Sequence, residues 1–473
     1  MPETPKRSRR QRSDAALTRE HILESAGEQL SRRPRATMAE VATASNVSRG
    51  TLYRHFPTRA DLLEAVNVAA RDEAVEGAAD ELRPPGELAR ATPTPLSVAD
   101  LLNKVPPHLL GEQVVAEAQR IPGVSSAAIY LVDLDGERLR RLAGPGTYPE
   151  ELPVPLAVGT EIPREGLPAL QATIEEHLPG AASAPLLLRG RALGTLVAVG
   201  SDADGLHDLA YEAAAALALA EGYTDFLDAA RRSRATSPAA EIQQNLLPPR
   251  IVRTSGAMIA GNVLPGYEIG GDWFDYAENA DGTWIGIADA TGSGPRAAAL
   301  ASVVLGAFRT ARHRRLSLEG AISLMDETLR ELPAIDREVE VTLGRWVAPT
   351  STFSWVSCGG VGPIVVDRGG HGAVLDGTRL APLGGEEPLG DITTSARRLQ
   401  DGDRLVLASD GVIDRAMPET GTLQIDGIVD AVRDAPFASA AGAVSAIEAV
   451  LRTAGGPLLD DATLVVLAPV LMR

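Results

Sequence analysis

Two aspartates, Asp272 and Asp289, have the type and the spacing for a divalent-cation site. They lie in the segment 268–294, on apolar stretches that flank Asn279-Ala280-Asp281-Gly282. The Asp-Gly pair is a strong β-hairpin signal, because glycine accepts a positive φ without a steric penalty. Both aspartates are eight or nine residues from the centre of this turn. Antiparallel pairing therefore places them nearly opposite each other.

Two facing carboxylates need a compensating charge. Their Cβ atoms are roughly 4.5–5.5 Å apart in a paired hairpin, and at that distance the two negative charges repel. Mg²⁺ or Mn²⁺ fits this donor set, because hard cations prefer carboxylate oxygens and seven scattered His with one Cys give no zinc spacing. The alternative is a surface hairpin with two solvated acids, and Asp272 and Asp289 alone do not separate the two hypotheses.

Two further aspartates stand at the ends of predicted strands. Asp410 follows the apolar run 404–408 and precedes Gly411, and Asp460 lies just before the apolar run 464–467. Carboxylates at such positions in one domain are costly unless they are solvated or bound to a cation. Four of them favour a metal site over a solvated hairpin.

Helices are predicted around these strands. Pro295 directly after Gly292-Ser293-Gly294 indicates a helix start, because proline has no N–H to leave unpaired in the first turn. The N–H groups of that helix end could hold an anion beside Asp289, although the glycines are equally consistent with a plain tight turn. The predicted helices of this region are 295–312, 317–331 and about 436–453.

The first 60 residues carry a different charge from the rest of the chain. They contain twelve Lys and Arg against six Asp and Glu, a net charge of +6, whereas the whole chain has −18 and the remainder therefore −24. Residues 1–13 are a basic arm. A basic N-terminal segment on an otherwise acidic chain indicates one nucleic-acid-binding module.

Three short helices are predicted after this arm. The first spans 18–29; the second has Thr37 as N-cap with Glu40 three residues later, a capping box; the third begins at Ser48 and ends before Pro57. Two short helices joined by a tight turn, the second rich in hydrogen-bond donors, form a helix-turn-helix that can place its second helix in a major groove.

The sequence pattern in the middle of the chain predicts a linker followed by an α+β region. Residues 81–96 are interrupted by Pro and Gly, as linkers are. Residues 97–225 combine helices, the first of them predicted over 98–119, with strands that include a hairpin around Arg189-Gly190. Residues 208–247 are predicted to be helical except at Ser237-Pro238. The apolar residues of this last stretch suit docking on a partner domain or on a second copy, and ordinary core packing explains them equally.

Length and composition exclude several classes of protein. A chain of 473 residues is too long for one core. No apolar run reaches the roughly 18 residues of a membrane span, and the Arg-rich start lacks the apolar core of a secretory signal. The only cysteine, Cys358, cannot form an intramolecular disulfide. We expect a multidomain protein in the cytoplasm.

The segment 37–63, Thr-Met-Ala-Glu-Val-Ala-Thr-Ala-Ser-Asn-Val-Ser-Arg-Gly-Thr-Leu-Tyr-Arg-His-Phe-Pro-Thr-Arg-Ala-Asp-Leu-Leu, resembles the DNA-binding domain of the TetR family. The resemblance implies an all-α domain over 14–80 that binds DNA. A helical interaction module without DNA binding is the alternative. Because helix-turn-helix domains usually bind paired half-sites, we expect a homodimer. The implied DNA contacts are Arg49, Gly50, Thr51, Tyr53, Arg54 and His55, with Thr37 and Arg59 on phosphates.

The α+β region 97–225 resembles a GAF sensor domain. It contains no motif that identifies a ligand. Dimerisation and spacing are therefore as consistent with this region as small-molecule sensing.

The last 230 or so residues resemble the SpoIIE/RsbU branch of the PPM metal-dependent serine/threonine phosphatases. The resemblance implies an α/β/β/α sandwich over 253–473, preceded by a linker helix over 226–252. The motifs that carry it are Glu241-Ile-Gln-Gln-Asn-Leu-Leu-Pro, Gly270-Gly-Asp-Trp-Phe-Asp, Ala288-Asp-Ala-Thr-Gly-Ser-Gly, Pro388-Leu-Gly, Ser409-Asp-Gly and Asp460-Asp-Ala-Thr.

This resemblance also implies the catalytic groups and the substrate. Two Mn²⁺ or Mg²⁺ ions activate a water without a protein nucleophile, so that Cys358 is expected to be a core residue. The implied substrate is a phosphorylated anti-anti-sigma protein of the STAS type. Asp275, Asp461 and Thr463 are expected to have supporting or structural roles. The implied catalytic metal ligands are Asp272, Asp289, Asp410 and Asp460, with the carbonyl of Ala290.

Two motifs depart from the family pattern. Gly292-Ser293-Gly294 stands where the family usually has Gly-His-Gly, and Cys358-Gly-Gly-Val-Gly-Pro stands where it often has Asn-Ala-Gly-His-x-Pro. Neither departure removes a carboxylate, but both concern the phosphosubstrate pocket and the rate of turnover. The competing hypothesis is a DNA-binding transcription regulator whose C-terminal half senses or dimerises without turnover. The four intact aspartates argue against it.

Overall fold

The computed structural model of the chain divides into two units, one within residues 1–92 and one formed by residues 93–473. The predicted basic arm, 1–13, and most of the predicted linker, 81–96, lie outside the residues that it describes. The described residues are 21–23, 25–26, 29, 36–56, 58, 62, 65, 95–200, 204–267, 270–333, 337–386, 388–418, 421–453, 458 and 460–470.

The first unit contains the two predicted helices of the helix-turn-helix, Met38–Ala44 and Arg49–His55. The predicted capping box is present: Thr37 N donates to Glu40 Oε2 over 2.6 Å, and Glu40 N donates to Thr37 Oγ1 over 3.3 Å. These bonds satisfy amide groups that a helix end leaves free. The apolar side chains at helical spacing are buried together: Ile22, Ala26, Met38, Val41, Ala42, Leu52, Phe56 and Leu62.

The second unit begins with an antiparallel sheet of six strands. The predicted helix 98–119 is two helices, Pro95–Lys104 and Leu110–Ala118, because Pro106-Pro107 interrupts the backbone hydrogen bonds. Both pack with Asp204–Ala220 on one face of the sheet, and Leu167–His177 packs on the other. The strands are Ser126–Val132, Arg138–Ala143, Glu151–Pro153, Ile162–Pro163, Ala181–Leu188 and Arg191–Val199.

The prediction that 208–247 are helical except at Ser237-Pro238 is only partly correct, because the helix also breaks twice before that point. The first helix ends at Ala220, and extended backbone follows at Thr224 (φ −152°, ψ 140°) and Arg232 (φ −90°, ψ 131°). The expected linker helix, 226–252, is accordingly two short helices, Phe226–Arg231 and Pro238–Leu246. Glycine at position 222 weakens the first helix, and Ser237 caps a new one by accepting a hydrogen bond from Ala240 N over 3.1 Å. We call Pro238–Leu246 the linker helix.

Two six-stranded sheets form most of the rest of the second unit, beside a two-stranded sheet of Ala416–Met417 and Gly421–Thr422. We call them the hairpin sheet and the C-terminal sheet, and they share a core that includes Phe274, Ile285 and Leu407. The hairpin sheet comprises Asp272–Asn279, Gly282–Ala290, Val339–Val347, Thr352–Cys358, Arg379–Leu380 and Ser395–Arg398. The C-terminal sheet comprises Ile251–Thr254, Ala257–Leu264, Ile364–Val366, Gly372–Val374, Arg404–Ala408 and Ala462–Pro469.

Helices cover the outer face of each sheet. Gly294–His313 and Leu318–Arg330 pack on the hairpin sheet, and Gln424–Arg433 and Ala440–Thr453 pack on the C-terminal sheet. This arrangement is the predicted α/β/β/α sandwich, although helix Gln424–Arg433 was not predicted. Across the described residues, no helix combines the length and the apolar content that a bilayer crossing requires.

Candidate metal centre

The hairpin that carries the first two aspartates forms as predicted. Strands Asp272–Asn279 and Gly282–Ala290 are antiparallel, and Asp289 is paired directly with Asp272. The turn has φ 126° at Gly282, which glycine accepts without steric strain. The two carboxylates are therefore cross-strand neighbours on one face of the sheet, with Asp272 only 2% exposed.

Two strand ends of the C-terminal sheet bring further carboxylates. Strand Arg404–Ala408 pairs with Ala462–Pro469, so that Asp410 lies just beyond one strand and Asp460 just before the other, at the same end of the sheet. A Cβ on Gly411 would lie 2.0 Å from the carbonyl oxygen of Asp461. Glycine is therefore required at position 411 for these two chain segments to approach each other.

Asp461 connects the two sheets and the linker helix through hydrogen bonds. Its Oδ2 accepts hydrogen bonds from Gly271 N (2.8 Å), Asp272 N (3.1 Å) and Gln243 Nε2 (2.6 Å), and the side chain is buried. Gln243 Nε2 also donates to the carbonyl oxygen of Asp272 over 3.1 Å. The linker helix thus holds the backbone that presents Asp272. The sequence pattern had given Gln243 no role of its own.

Burial and like charge shift the acidity of this cluster. Burial, and next the charge of Asp410, raise the pKa of Asp289 to about 8. Burial and the neighbouring carboxylates of Asp289 and Asp461 raise the pKa of Asp272 well above its ordinary value. The pKa of Asp461 is raised to about 6 by burial, against the hydrogen bonds that it accepts. Burial also raises the pKa of Asp460. The cluster therefore holds more negative charge than the protein alone stabilises.

The donor set fits a hard divalent cation. Asp272 Oδ2 and Asp461 Oδ1 are buried and have no hydrogen-bond partner among the described residues. The available ligands are all oxygens, as Mg²⁺ and Mn²⁺ prefer. In the described part of the chain, no three acidic, His or Cys side chains already form a coordination sphere. Mutual repulsion would keep the acids apart until a bound cation compensated their charge.

The remaining predicted ligands lie at the same edge. Asp289 is half-buried, whereas Asp410 and Asp460 are exposed. Ala290 ends the hairpin strand, and its carbonyl oxygen would lie 3.0 Å from a Cβ on Gly271. The helix predicted to start beside this loop begins at Gly294, with Ser293 as N-cap. The N–H groups of its first turn, at Gly294 and Arg296, have no acceptor within the helix, and Pro295 has no N–H.

Glu340 is a carboxylate of this edge that the sequence analysis missed. It is paired with Asp289 on the side opposite to Asp272. A Cβ on Gly359 would lie 2.8 Å from Glu340 Cγ, and a Cβ on Gly360 would lie 2.7 Å from Glu340 Oε2, so these two glycines provide room for this side chain. Burial raises the pKa of Glu340, and the charge of Asp410 adds to the effect. The sequence did contain a pattern that could have identified Glu340. The apolar residues Val339, Val341 and Leu343 alternate along the strand, which places Glu340 on the opposite face.

Asp275 and Cys358 are both buried. Asp275 is 3% exposed and accepts from Arg312 Nη2 (2.5 Å) and Arg309 Nε (3.1 Å). Cys358 is fully buried in the core beneath the outer helices, and burial raises the pKa of its thiol to about 12. A thiol with that pKa is a poor nucleophile at neutral pH.

In the helix-turn-helix, six of the eight candidate DNA contacts lie on helix Arg49–His55. Leu52 and Phe56 face the core, as expected for the apolar side of that helix. Thr37 is exposed and caps the preceding helix, and Arg59 lies outside the described residues. The exposed candidates are Arg49, Gly50, Tyr53 and Arg54, and the half-buried ones are Thr51 and His55.

Metal-free protein is expected to lose stability as pH rises from about 4 to about 8. The carboxyls of Asp289 and Asp461 have folded pKa values of about 8 and about 6, above the ordinary 3.8. Such groups bind protons more tightly in the folded state, so their stabilising contribution is present below the unfolded pKa and is lost as pH rises through the folded pKa. Thermal unfolding of EDTA-treated protein across this range measures the loss.

The control for this pH effect is Asp289→Asn, which removes one raised pKa and should flatten the decline. Added Mn²⁺ or Mg²⁺ should restore the Tm of the natural protein at the alkaline end, because the cation binds the ionised carboxylates. A Tm of metal-free protein that rises with pH would contradict the prediction.

Comparison with known families is consistent with this geometry. Residues 279–469 match the family model of stage II sporulation protein E (SpoIIE), and residues 22–66 match that of bacterial regulatory proteins of the tetR family. The SpoIIE match begins after Asp272, and it includes Asp289, Asp410 and Asp460. No curated protein matches the chain.

Several solved structures are similar to part of this chain. The SiaA-PP2C domain of Pseudomonas aeruginosa is 23% identical, with 49% of this chain and 94% of that chain covered and a TM-score of 0.42. The RsbU and RsbW domains of Rv1364c from Mycobacterium tuberculosis are 23% identical, with 46% and 63% covered and a TM-score of 0.41. This chain thus spans less than two thirds of that protein's length.

A third structure extends further along this chain. The PP2C phosphatase domain and a fragment of the regulatory domain of SpoIIE from Bacillus subtilis are 14% identical, with 79% and 94% covered and a TM-score of 0.40. Over the residues that the family models match, the chain is similar to the SpoIIE family in its C-terminal part and to the tetR family in its N-terminal part.

Proposed function

We propose that this protein is a metal-dependent phosphatase of phosphoserine and phosphothreonine in proteins, controlled through its N-terminal regions. The observation that carries the proposal is the direct pairing of Asp289 with Asp272 at the edge where the strand ends of Asp410 and Asp460 arrive. The match to the SpoIIE family over residues 279–469 supports it.

In this proposal, the four aspartates and the Ala290 carbonyl hold two Mn²⁺ or Mg²⁺ ions. When bound, such ions supply an activated water and neutralise charge on the phosphoryl group. Asp461 keeps Gly271 and Asp272 in place through its hydrogen bonds. The free N–H groups at the start of helix Gly294–His313 are available to donate to a phosphate oxygen.

We further propose a phosphorylated anti-anti-sigma protein of the STAS type as substrate and a GAF-like role for residues 97–225. Both rest on the resemblance of the sequence motifs to the SpoIIE/RsbU branch and to GAF domains. A homodimer and a cytoplasmic location complete the proposal. The boundaries 14–80, 97–225 and 253–473 define the fragments in which these roles can be tested separately.

The proposal is tested with full-length protein and a phosphoserine peptide. Hydrolysis is expected with Mn²⁺ or Mg²⁺ and is expected to stop when EDTA removes the ion. The competing hypothesis, a regulator that binds metal without turnover, predicts a calorimetric signal for Mn²⁺ and no phosphate release from any phosphoprotein.

We propose DNA binding as a second function, because Arg49 and Arg54 are exposed on the helix that follows the turn and residues 22–66 match the tetR family. Arg49→Ala is expected to weaken binding to a generic DNA duplex and to lower the slope of log affinity against log salt by about one. Fluorescence anisotropy at several salt concentrations measures both.

The matched control for DNA binding is Arg397→Ala, an exposed arginine in the other unit. It should leave both the affinity and the salt slope unchanged. Binding by the natural protein without a steep salt slope would count against phosphate contacts, and no binding at low salt would leave the helix-turn-helix as an interaction module.

A further inference from the structure

A cavity of about 280 Å³ lies where the middle α+β region meets the sandwich. Its walls come from the six-stranded middle sheet, from helix Phe226–Arg231, and from the linker helix with the loop that follows it. Since a water molecule occupies about 30 Å³ of liquid, the space holds about nine waters or one compact solute. The side chains that matter are Glu161, Arg191, Arg231, Arg232, Gln244 and Arg250.

Four arginines line this cavity, and three of them contact a carboxylate. Arg191 Nε lies 2.7 Å from Glu161 Oε1, and Arg232 Nη2 lies 2.7 Å from Glu241 Oε2. Arg231 forms an ion pair with Glu221. These three guanidinium charges are therefore compensated inside the protein.

Arg250 differs from the other three arginines. It is 7% exposed, and no carboxylate of the described residues lies within 4.0 Å of its guanidinium. Its Nη2 donates to Gln244 Oε1 over 2.6 Å and its Nη1 to the carbonyl oxygen of Pro248 over 3.1 Å, both neutral acceptors. Its Nε has no acceptor within the described structure. The charges of Glu161 and Glu448 act on this guanidinium only from beyond contact distance. A buried guanidinium without a contacting anion is costly.

The donors around Arg250 point to one class of ligand. Arg231 Nε is likewise buried without an acceptor in the described part of the chain. Guanidinium forks bind carboxylate and phosphate groups through paired N–H donors. We propose that this cavity is a binding site for a compact dianion of the phosphate or dicarboxylate type, held chiefly by Arg250.

The position of the site connects it to the metal centre. Arg250 donates to Gln244, and the preceding residue, Gln243, donates to Asp461 and to the Asp272 carbonyl. An anion that engages Arg250 competes with Gln244 for the same donors. It therefore shifts the linker helix that holds the Asp272 backbone. This coupling, unlike the binding site itself, rests on the proposed phosphatase function.

Isothermal titration calorimetry of EDTA-treated full-length protein tests the site, with inorganic phosphate and succinate as the two probes. Removing divalent ions prevents phosphate from binding at the metal centre. We expect saturable binding of at least one probe with a Kd of about 1 mM or below. Which probe binds separates the phosphate type from the dicarboxylate type. Failure of both probes to bind up to about 10 mM would overturn the proposal.

Two variants and a control locate the site. Arg250→Met should weaken binding at least about tenfold through loss of the charged hydrogen bonds. Arg253→Met, an exposed arginine on the adjacent strand, should leave it unchanged. If circular dichroism shows that Arg250→Met is unfolded, Arg250→Lys is tested in its place. Lysine keeps the positive charge but lacks the paired N–H donors of the guanidinium, so it should also bind the anion more weakly. Binding as tight as in the natural protein by the folded variant would overturn the assignment to Arg250.

The coupling has a separate readout. With Mn²⁺ present, the probe that binds should change the rate of phosphopeptide hydrolysis at least about twofold in the natural protein. It should have a smaller effect on Arg250→Met. Binding without this difference would overturn the coupling. Absence of hydrolysis in every variant would contradict the proposed phosphatase, while the calorimetry would still decide whether the anion site exists.

Discussion

Replacing Asp289 with Asn is expected to lower metal-dependent phosphatase activity at least about 10³-fold, or about 4 kcal/mol of transition-state stabilisation. Asp289 is the carboxylate in contact with both halves of the cluster, since it is paired with Asp272 and lies within hydrogen-bonding reach of Asp410. Asparagine keeps the shape and removes the charge that compensates a divalent cation. Loss of metal binding by calorimetry should accompany the loss of phosphopeptide hydrolysis.

The same substitution should leave the metal-free protein intact. The pKa of Asp289 is raised to about 8, so the carboxyl is largely protonated at neutral pH when no cation is bound. A neutral asparagine therefore replaces a neutral acid, and the Tm of EDTA-treated protein should not fall. A large loss of stability without metal would mean that Asp289 has a structural role instead.

The matched control is Asp281→Asn, at the turn of the same hairpin. Asp281 is exposed, and its carboxylate contacts Arg345 and the indole N–H of Trp284. Surface ion pairs contribute about 0–1 kcal/mol, so activity and stability should stay close to those of the natural protein. If Asp289→Asn retained more than about a tenth of the natural rate under conditions where Asp281→Asn is fully active, the proposed metal centre would be wrong.

The hairpin could be predicted from the sequence because its determinants are local. The Asp-Gly turn and the alternation of side chains fix the register, and the register fixes which aspartates face each other. The helix start at Gly294 was also a local signal, since it depends on Pro295 and the glycines before it. These features need no contact between distant parts of the chain.

The functions of Asp461, Gln243 and Glu340 depend on such distant contacts. Asp460 and Asp461 are adjacent and chemically identical, yet one is exposed and the other is 1% exposed and accepts three hydrogen bonds from partners some two hundred residues away. Nothing in the local pattern distinguishes them. Likewise, Arg250 gains its importance only because folding buries it in the junction without a carboxylate partner.

The unpredicted breaks after Ala220 and Arg231 have a similar cause. Helical periodicity continued through the segment, but the chain there must connect two packed regions. Arg231 is turned inward to pair with Glu221, and Tyr267 Oη accepts a hydrogen bond from Ser233 N over 3.1 Å. Tertiary contacts of this kind outweigh helix propensities, which differ by less than about 1 kcal/mol per residue for most amino acids.

The largest effect on stability is expected from Asp275→Ala, which should lower the free energy of unfolding by about 3–5 kcal/mol. Asp275 and Arg312 are both nearly inaccessible to solvent, with side chains 4% and 7% exposed. Removing the carboxylate leaves the Arg312 charge buried without its partner. Arg309 is 39% exposed and can turn toward water, so most of the cost falls on Arg312. Chemical denaturation measures the change, with Asp281→Ala as the surface control.

A double variant separates the ion pair from the rest of the packing. Replacing both partners, in Asp275→Ala/Arg312→Met, removes the orphaned charge and should recover most of the lost stability, because a buried pair can often be exchanged for apolar groups at little cost. Equal destabilisation in the single and double variants would show that packing, not charge, is responsible.

Asp275 also tests whether the two faces of the hairpin act independently. It is three residues from Asp272 on the same strand, so their side chains point to opposite faces. Asp275→Ala should therefore lower the fraction of folded protein and leave the rate per folded molecule, measured with saturating Mn²⁺, within about twofold of the natural value. If fully folded Asp275→Ala lost as much activity as Asp289→Asn, Asp275 would belong to the metal centre and not to the opposite face of the hairpin sheet.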